Sequence, residues 1–158
     1  MLVTLITSFY LNLARNDDNR EFLLKLNLFK KLNGLMQTVK FNAEAGNSRF
    51  NTALCYINTI FAKLLKYTES RSHCIEEQGY NLFISILQNP KQSKHLFLET
   101  LDSIKLFLTK REYLVKFKRI PEKIELDADS MDLNVSFLQV LAILSFEKEN
   151  HSSLKTRD

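Results

Sequence analysis

The side chains that most often carry chemistry are few in this sequence and stand apart from one another. The three histidines, at 73, 95 and 151, form no H-E-x-x-H pattern or other spacing that binds a metal. Cys74 follows His73 directly, but adjacent residues of a helix point about 100° apart, so these side chains do not face each other. We expect Cys55 and Cys74 to be free thiols that pack inside helices of a protein from a reducing compartment.

Neither phosphate binding nor acid–base catalysis is indicated by the remaining candidates. The glycines at 34, 46 and 79 are scattered and form no phosphate-binding loop. The acidic pairs Asp17–Asp18 and Glu76–Glu77 are each expected near the start of a helix, where carboxylates interact with unpaired N–H groups and the helix dipole. The sequence therefore predicts a protein that is not an enzyme and that binds no metal or organic cofactor.

One segment of the chain is distinctly basic. Between Lys105 and Lys123 there are seven lysines or arginines and two glutamates, which gives a local net charge of +5. Phe107, Tyr113 and Phe117 alternate with the basic residues, a mixture found where proteins bind acidic peptides, lipid headgroups or nucleic-acid backbones. The alternative is a solvated helix face whose aromatic side chains point into the core. The candidate binding residues are Lys105, Lys110, Arg111, Lys116, Lys118 and Arg119.

The composition predicts that helices position these residues. Only three Gly and two Pro interrupt the 158 residues, of which 45% are apolar, so long helices are favoured over turn-rich sheets. The net charge of +4 is lower than that of most dedicated nucleic-acid-binding domains. The apolar N-terminal stretch lacks the basic region of a signal peptide and is shorter than the about 20 residues of a membrane span. We expect an intracellular, cytoplasmic protein.

Apolar residues recur with helical spacing in four long blocks. Each block is expected to form an amphipathic helix whose apolar stripe packs in the core. Shorter apolar segments lie between the blocks and are bounded by polar breaks. The four stripes are Leu2, Leu5, Ile6, Phe9 and Leu13; Leu54, Ile57, Phe61, Leu64 and Leu65; Phe97, Leu101, Ile104 and Leu108; and Leu133, Phe137, Val140, Leu141 and Leu144.

The four blocks end at similar positions of a repeated unit. Taking Leu13, Leu64, Phe107 and Leu144 as equivalent, successive units are separated by 51, 43 and 37 residues, close to the about 40 to 47 residues of armadillo and HEAT repeats. A unit of this size cannot cover its own apolar face, so it must stack on neighbouring units. We expect one domain over 1–150, with helix sets around 1–39, 51–89, 91–126 and 131–147 and a polar tail over 151–158.

Two segments resemble the armadillo-repeat family. LNLARN at 11–16 is similar to the Leu-x-Asn-Leu-Ala-like phrase that ends the family's long helix, and CIEEQGYNLFISILQNP at 74–90 resembles its short helix, glycine and apolar helix. By this resemblance Gly79 stands at the turn, where φ can be positive. The resemblance implies an all-α, right-handed α-solenoid of about three to four repeats. A solenoid of HEAT or other paired-helix repeats is the alternative.

The resemblance also implies a scaffold or adaptor that binds a peptide or helix of a partner protein along the solenoid, in settings that include cytoskeletal or centriolar assembly. Asn12 and Lys63 fall where long helices of the family face their ligands, and they join the candidate partner-binding residues. The chain has no Trp, so nuclear-localisation peptides are not expected to bind as they do to the family's transport receptors. We expect an acidic or helical partner segment; nucleic acid or an acidic membrane surface bound through 105–123 is the alternative.

The first apolar block has no polar cap of its own, although the ends of a solenoid normally carry one. Leu2, Leu5 and Phe9 lie in this block. They are predicted either to drive self-association or to contact a further part of a larger repeat protein.

Overall fold

The computed structural model of the chain describes residues 2–43, 48–87, 93–108, 111–117 and 131–144. Within these stretches the chain is helical apart from short turns and contains no strand, which confirms the predicted all-α class. Short 3₁₀ helices cover Asp17–Asn19 and Val115–Phe117. The α-helices are α1 (Leu2–Ala14), α2 (Arg20–Lys25), α3 (Leu28–Ala43), α4 (Ser48–Leu64), α5 (Thr68–Glu76), α6 (Tyr80–Leu87), α7 (Lys94–Phe107), α8 (Arg111–Leu114) and α9 (Met131–Leu144).

The chain divides into two compact units, Met1–Leu82 and Phe83–Asp158. The first unit contains α1 to α5 and the beginning of α6, and the second contains the rest of α6 with α7 to α9. The polar tail predicted at 151–158 lies outside the described residues.

In the first unit, α1 and α3 both pack against α4. The stripe predicted on α4 is core, since its residues from Leu54 to Leu65 are at most 2% exposed. Phe29 of α3 meets Phe61 of α4 edge to face, with 4.8 Å between ring centroids. A pair of this geometry contributes about 0.5–1.5 kcal/mol beyond the burial of its surface. The spacing of apolar residues along α4 therefore predicted the centre of this unit.

The turn between α5 and α6 needs a glycine for a different reason from the one expected. Gln78, and not Gly79, has the positive φ, at 58°. The Gln78 N–H donates to the Ile75 carbonyl at 3.1 Å and the Gly79 N–H to the Cys74 carbonyl at 2.8 Å, which are the two bonds of a Schellman C-cap. A Cβ on Gly79 would lie only 2.8 Å from the Cys74 Sγ. Close packing, rather than backbone conformation, requires the glycine.

The acidic pairs behave differently from each other. Asp17 and Asp18 begin a 3₁₀ helix, as expected, and Asn16 caps it by accepting the Asp18 N–H at 3.0 Å. The prediction for Glu76 and Glu77 is wrong, because α5 ends at Glu76. Glu76 is the last residue of α5 and Glu77 is its C-cap, so the pair lies at the end of a helix.

In the second unit, α7 packs against α9. Ser93 starts α7, where its Oγ accepts the Leu96 N–H at 3.3 Å. Phe107 ends α7 at the centre of an aromatic cluster, with ring centroids 5.5–6.1 Å from those of its neighbours. These neighbours are Phe83, Tyr113 and Phe117. The cluster joins the middle of α6 and the end of α7 to the short helices that follow α7.

Candidate interaction surfaces

Helix α1 presents its largest apolar side chains to solvent. Leu2, Leu5 and Phe9 are 70%, 59% and 60% exposed. The buried residues of the helix are Thr7 and, one and two turns later, Leu11 and Ala14. At 3.6 residues per turn, these two sets lie on opposite sides of the helix. The prediction that the stripe of Leu2, Leu5 and Phe9 packs in the core is therefore wrong.

The buried side of α1 owes its position to small residues that the hydropathy pattern does not single out. The helix carries no charged residue, and its most hydrophobic side, which the pattern predicts as core, is the side exposed to solvent. Thr7 can be fully buried because its hydroxyl donates within the helix, to the carbonyls of Val3 at 3.0 Å and Thr4 at 3.1 Å. The buried side of α1 is thus formed by the small Thr7 and Ala14 with Leu11 between them, while Leu2, Leu5 and Phe9 point outward.

The outward residues of α1 follow the spacing of a coiled-coil seam. Leu2, Leu5, Phe9 and Asn12 are separated by three, four and three residues, and all four are exposed. Residues that alternate in this way all face a second helix that lies alongside the first. Asn12 ends the series, and its Oδ1 accepts a hydrogen bond from Arg15 at 3.1 Å. We refer to these four residues as the α1 face.

Helix α9 carries a second exposed apolar strip. Val135 is 45% exposed and Leu138 is 51% exposed, and Ala142 is exposed one turn further on. The opposite side of the helix is buried, with Phe137 and Val140 inside the unit as predicted. We refer to Val135, Leu138 and Ala142 as the α9 face. The predicted stripe of α9 does not include this face, for which Val135 and Leu138, large apolar residues opposite that stripe, are the signal in the sequence.

The basic segment is only partly described. Lys105 is half-buried, and its Nζ donates to Asp102 Oδ1 and to Ser136 Oγ, both at 3.0 Å. It thereby joins α7 to α9. Lys116 is exposed, and Arg111 begins α8. The other predicted binding residues, Lys110, Lys118 and Arg119, lie outside the described residues.

The aromatic residues of the basic segment belong to the core. Phe107 and Phe117 are fully buried, and Tyr113 is 5% exposed. Their rings pack against one another in the cluster that ends α7. These three rings therefore do not offer a stacking surface for nucleic-acid bases, and the binding chemistry available here is that of the cations.

The remaining predicted contact residues lie in the first unit. Asn12 is exposed near the end of α1, and Lys63 is half-buried in the last turn of α4. A cation at this end of a helix interacts favourably with the carbonyl groups that have no partner in the helix. Because α1 packs against α4, the two residues belong to adjoining helices.

Cys74 lies in the interior, where its thiol is expected to be unreactive. Its side chain is fully buried, and burial, reinforced by the charge of Glu77, raises the pKa of the Cys74 thiol well above its ordinary value. A thiol that stays protonated is a poor nucleophile and a poor metal ligand. Cys55 and Cys74 form no disulfide with each other, and the predicted packing role of Cys74 is confirmed.

A charged cluster holds the segment after α1 against the turn that follows α4. The Arg20 guanidinium lies over the Tyr67 ring, 4.0 Å from its centroid. A hydrogen bond between the Tyr67 hydroxyl and Asp17 raises the pKa of Tyr67, and the Arg20 charge opposes this effect. Arg20, Tyr67 and Asp17 therefore contact one another within the first unit, and we assign them a structural role.

Within the part of the chain that the structure describes, His, Cys, Asp and Glu side chains form no group of three that could hold a metal ion. Over the same residues, none of the helices combines the length and apolarity needed to cross a membrane. No family model matches the chain, and neither a curated protein nor a solved structure is detectably similar to it. The function is therefore inferred from the two apolar faces and the basic segment.

Proposed function

We propose that this protein is a helical interaction module, a scaffold or adaptor built of armadillo-like repeats that binds a helix or peptide of another protein. The observation that supports this most is the distribution of exposed large apolar side chains. Five of the six found in the described residues lie on α1 and α9, and the sixth is Phe22 of α2. Contiguous exposed apolar faces are typical of surfaces that bind other proteins.

The order of the helices favours the repeat. The same order of three helices occurs twice in succession. Helices α2, α3 and α4 have 6, 16 and 17 residues, and α5, α6 and α7 have 9, 8 and 14 residues. Three of the positions taken as equivalent, Leu13, Leu64 and Phe107, lie at or next to the last residue of α1, α4 and α7. Long helices also pack on each other within a unit, α1 on α4 and α7 on α9.

Binding would use apolar anchors, with charge assisting the encounter. A partner helix that places its own apolar stripe on the α1 or α9 face would bury side chains that are now about half or more exposed. The cations of the basic segment would attract an acidic partner and raise the association rate more than the affinity. Cysteines that form no disulfide suit a reducing compartment, and we infer that the module works in the cytoplasm.

Site-specific photo-crosslinking in cells that produce the protein tests the proposal. A photoreactive amino acid is placed at Phe9 or Leu138, and, as matched controls, at the exposed positions Glu69 of α5 and His95 of α7. We expect protein adducts from positions 9 and 138 and none from the controls, with mass spectrometry identifying the captured chain. Absence of adducts at both faces, or equal adducts at the control positions, would contradict the proposal.

The basic segment supports an alternative, the binding of nucleic acid or an acidic membrane surface. Its local charge of +5 favours this function, whereas the burial of its aromatic rings counts against base stacking. Binding to phosphates alone should weaken steeply as salt rises, because each neutralised phosphate releases counterions. A titration of single-stranded nucleic acid at about 50 mM and 200 mM salt separates this alternative from an apolar contact, which should change little.

A further inference from the structure

We propose that the α1 face binds the α1 face of a second copy of this chain, with the two helices parallel and side by side. This inference rests on the proposed function, since it names the partner of one of the two apolar faces. It makes the module a weak homodimer and leaves the α9 face for other partners.

The spacing of the face favours a helix as its occupant. Leu2, Leu5, Phe9 and Asn12 alternate by three and four residues, as the a and d positions of a heptad do. They lie opposite Thr7 and Leu11, which face the core. A second helix can therefore lie along the whole face without displacing α4.

The polar residue at the end of the face favours a parallel pair in register. In that arrangement each apolar residue meets its own counterpart, and Asn12 of one copy meets Asn12 of the other. In this register no amide has to be buried against an apolar side chain. An antiparallel pair would instead place Leu2 against Asn12 and bury an amide beside an apolar side chain, which is unfavourable.

The charge of the face argues for a second copy over a charged partner. Helix α1 contains no charged residue, and the first after it is Arg15. An acidic or basic helix would find no ion pair along Leu2–Ala14. Within Leu2–Ala14 two α1 helices meet without repulsion between like charges, and the nearest cation, Arg15, is hydrogen-bonded to Asn12 at the end of the face. The most suitable occupant is therefore an uncharged apolar helix such as α1 itself.

The area of the face limits such a dimer to a weak, reversible one. Three side chains exposed to this extent present on the order of 400 Å² per copy, about half of what each partner contributes to a standard interface. Half-buried Ile6 and Leu13 flank the face and add to it. Since α4 already holds α1 in place, little ordering is required on association. We expect a dissociation constant on the order of 10–100 µM.

Sedimentation equilibrium of the full chain at about 5–500 µM tests the inference over the expected range. We expect a monomer–dimer equilibrium that Phe9→Glu weakens at least tenfold. Phe22→Glu is the matched control, because Phe22 is 54% exposed in the same unit but lies on α2; it should leave the equilibrium unchanged. Circular dichroism checks folding, and Leu5→Arg replaces Phe9→Glu if that variant unfolds.

Disulfide trapping tests the orientation in a Cys55→Ser background, where the remaining Cys74 is buried. Leu5→Cys, which keeps Asn12, should alone form a linked dimer on mild oxidation. Linkage that appears only when Leu5→Cys is mixed with Phe9→Cys would show an antiparallel pair and overturn the proposed arrangement.

The outcomes separate this inference from the proposed function. A monomer at every concentration, together with adducts of another protein from position 9 or 138, would reject the homodimer while the interaction module stands. A monomer without adducts from either face would reject both.

Discussion

The carboxylate of Glu77 accepts a hydrogen bond from the backbone N–H of Lys30, with 2.8 Å between Glu77 Oε2 and the nitrogen. Lys30 lies in the first turn of α3, where N–H groups have no partner inside the helix. Three residues later, the Asn33 amide donates to the Gln78 carbonyl at 3.2 Å. These two hydrogen bonds fix the start of α3 to the turn between α5 and α6. Their partners are separated by 47 and 45 positions in the sequence.

Glu77→Ala should lower the free energy of unfolding by about 1–2 kcal/mol, because it removes a charged cap from the first turn of α3. Glu76→Ala is the matched control, since Glu76 is its neighbour in the sequence and lies in the same turn region, and it should change stability by less than about 0.5 kcal/mol. Urea denaturation measures both. Equal effects of the two substitutions would show that the hydrogen bond contributes little.

This contact illustrates what the sequence could predict and what it could not. The pair Glu76–Glu77 was wrongly predicted to lie near the start of a helix, but Glu77 does accept an N–H group at a helix start, that of Lys30. The helix is α3 rather than a neighbour in the sequence, and only the packing of the first unit brings the two together. Local spacing predicts which groups need partners, whereas the identity of a distant partner depends on the tertiary fold.

Gly79→Ala should destabilise the protein by about 1–3 kcal/mol, the cost of overpacking a filled core. The new Cβ would lie 2.8 Å from Cys74 Sγ and 3.1 Å from Phe29 Cβ. Gly34→Ala is the matched control, because a Cβ added to this residue of α3 would meet no atom within 4 Å, and alanine there should stabilise by about 0.5–1 kcal/mol. Thermal denaturation should show shifts of opposite sign.

A double-mutant cycle identifies the source of the Gly79→Ala effect. If the thiol is the principal obstacle, Cys74→Ala should lessen the cost of Gly79→Ala, so that the two changes are not additive. Additive effects would assign the strain to Phe29 and Phe61, the other neighbours of the site.

The helices and the apolar faces were predictable to different degrees. Along α4, charged and polar residues interrupt the apolar ones, and the stripe from Leu54 to Leu65 was correctly predicted as core. Along α1 hydrophobicity favoured the side of Leu5 and Phe9 as core, whereas the structure buries the side of Thr7 and Ala14. The choice of face there depends on how closely α4 can approach, which is a property of side-chain shape.

Ser70→Ala should leave stability unchanged or raise it by up to about 1 kcal/mol. The Ser70 hydroxyl is fully buried and has no hydrogen-bond partner among the described residues, and removing such a group removes the cost of desolvating it. Ser103→Ala is the comparison, because Ser103 is also buried but donates to the Glu99 carbonyl at 3.0 Å. It should cost about 0.5–1 kcal/mol. Chemical denaturation of both variants checks the difference in sign.

Cys74 should resist thiol reagents in the folded protein and react only on unfolding, whereas half-buried Cys55 should react faster. Burial raises the pKa of the Cys74 thiol. When the pH exceeds the ordinary pKa of a thiol, Cys74 therefore loses its proton in the unfolded chain but keeps it in the folded chain. This contribution to stability is complete below the unfolded pKa and is lost as pH rises towards the folded pKa.

Denaturation between about pH 8 and pH 10.5 measures this effect, since an unperturbed thiol ionises near pH 8.5. The slope due to Cys74 should not exceed about 1.4 kcal/mol per pH unit. Cys74→Ala removes the group and should flatten the decline, whatever its effect on stability at neutral pH. An unchanged slope would assign the alkaline loss of stability to other residues.

Lys105 combines a predicted binding role with a structural one, and a pair of variants separates them. Its Nζ is shared between Asp102, whose side chain is 61% exposed, and Ser136 of α9. Solvent screens the pair with Asp102, so the bond to Ser136 should dominate. We expect Lys105→Met to lower the free energy of unfolding by about 0.5–1.5 kcal/mol.

Lys105→Met and Ser136→Ala should also be non-additive, because either change removes the same hydrogen bond between α7 and α9. Lys116→Glu is the contrasting variant, since Lys116 is exposed in the same segment and its reversal should change stability by less than about 0.5 kcal/mol. If the basic segment attracts an acidic partner, Lys116→Glu should slow association while the protein stays folded. A loss of binding confined to Lys105→Met would instead show that the packing of α9 on α7, rather than the charge of the segment, determines partner capture.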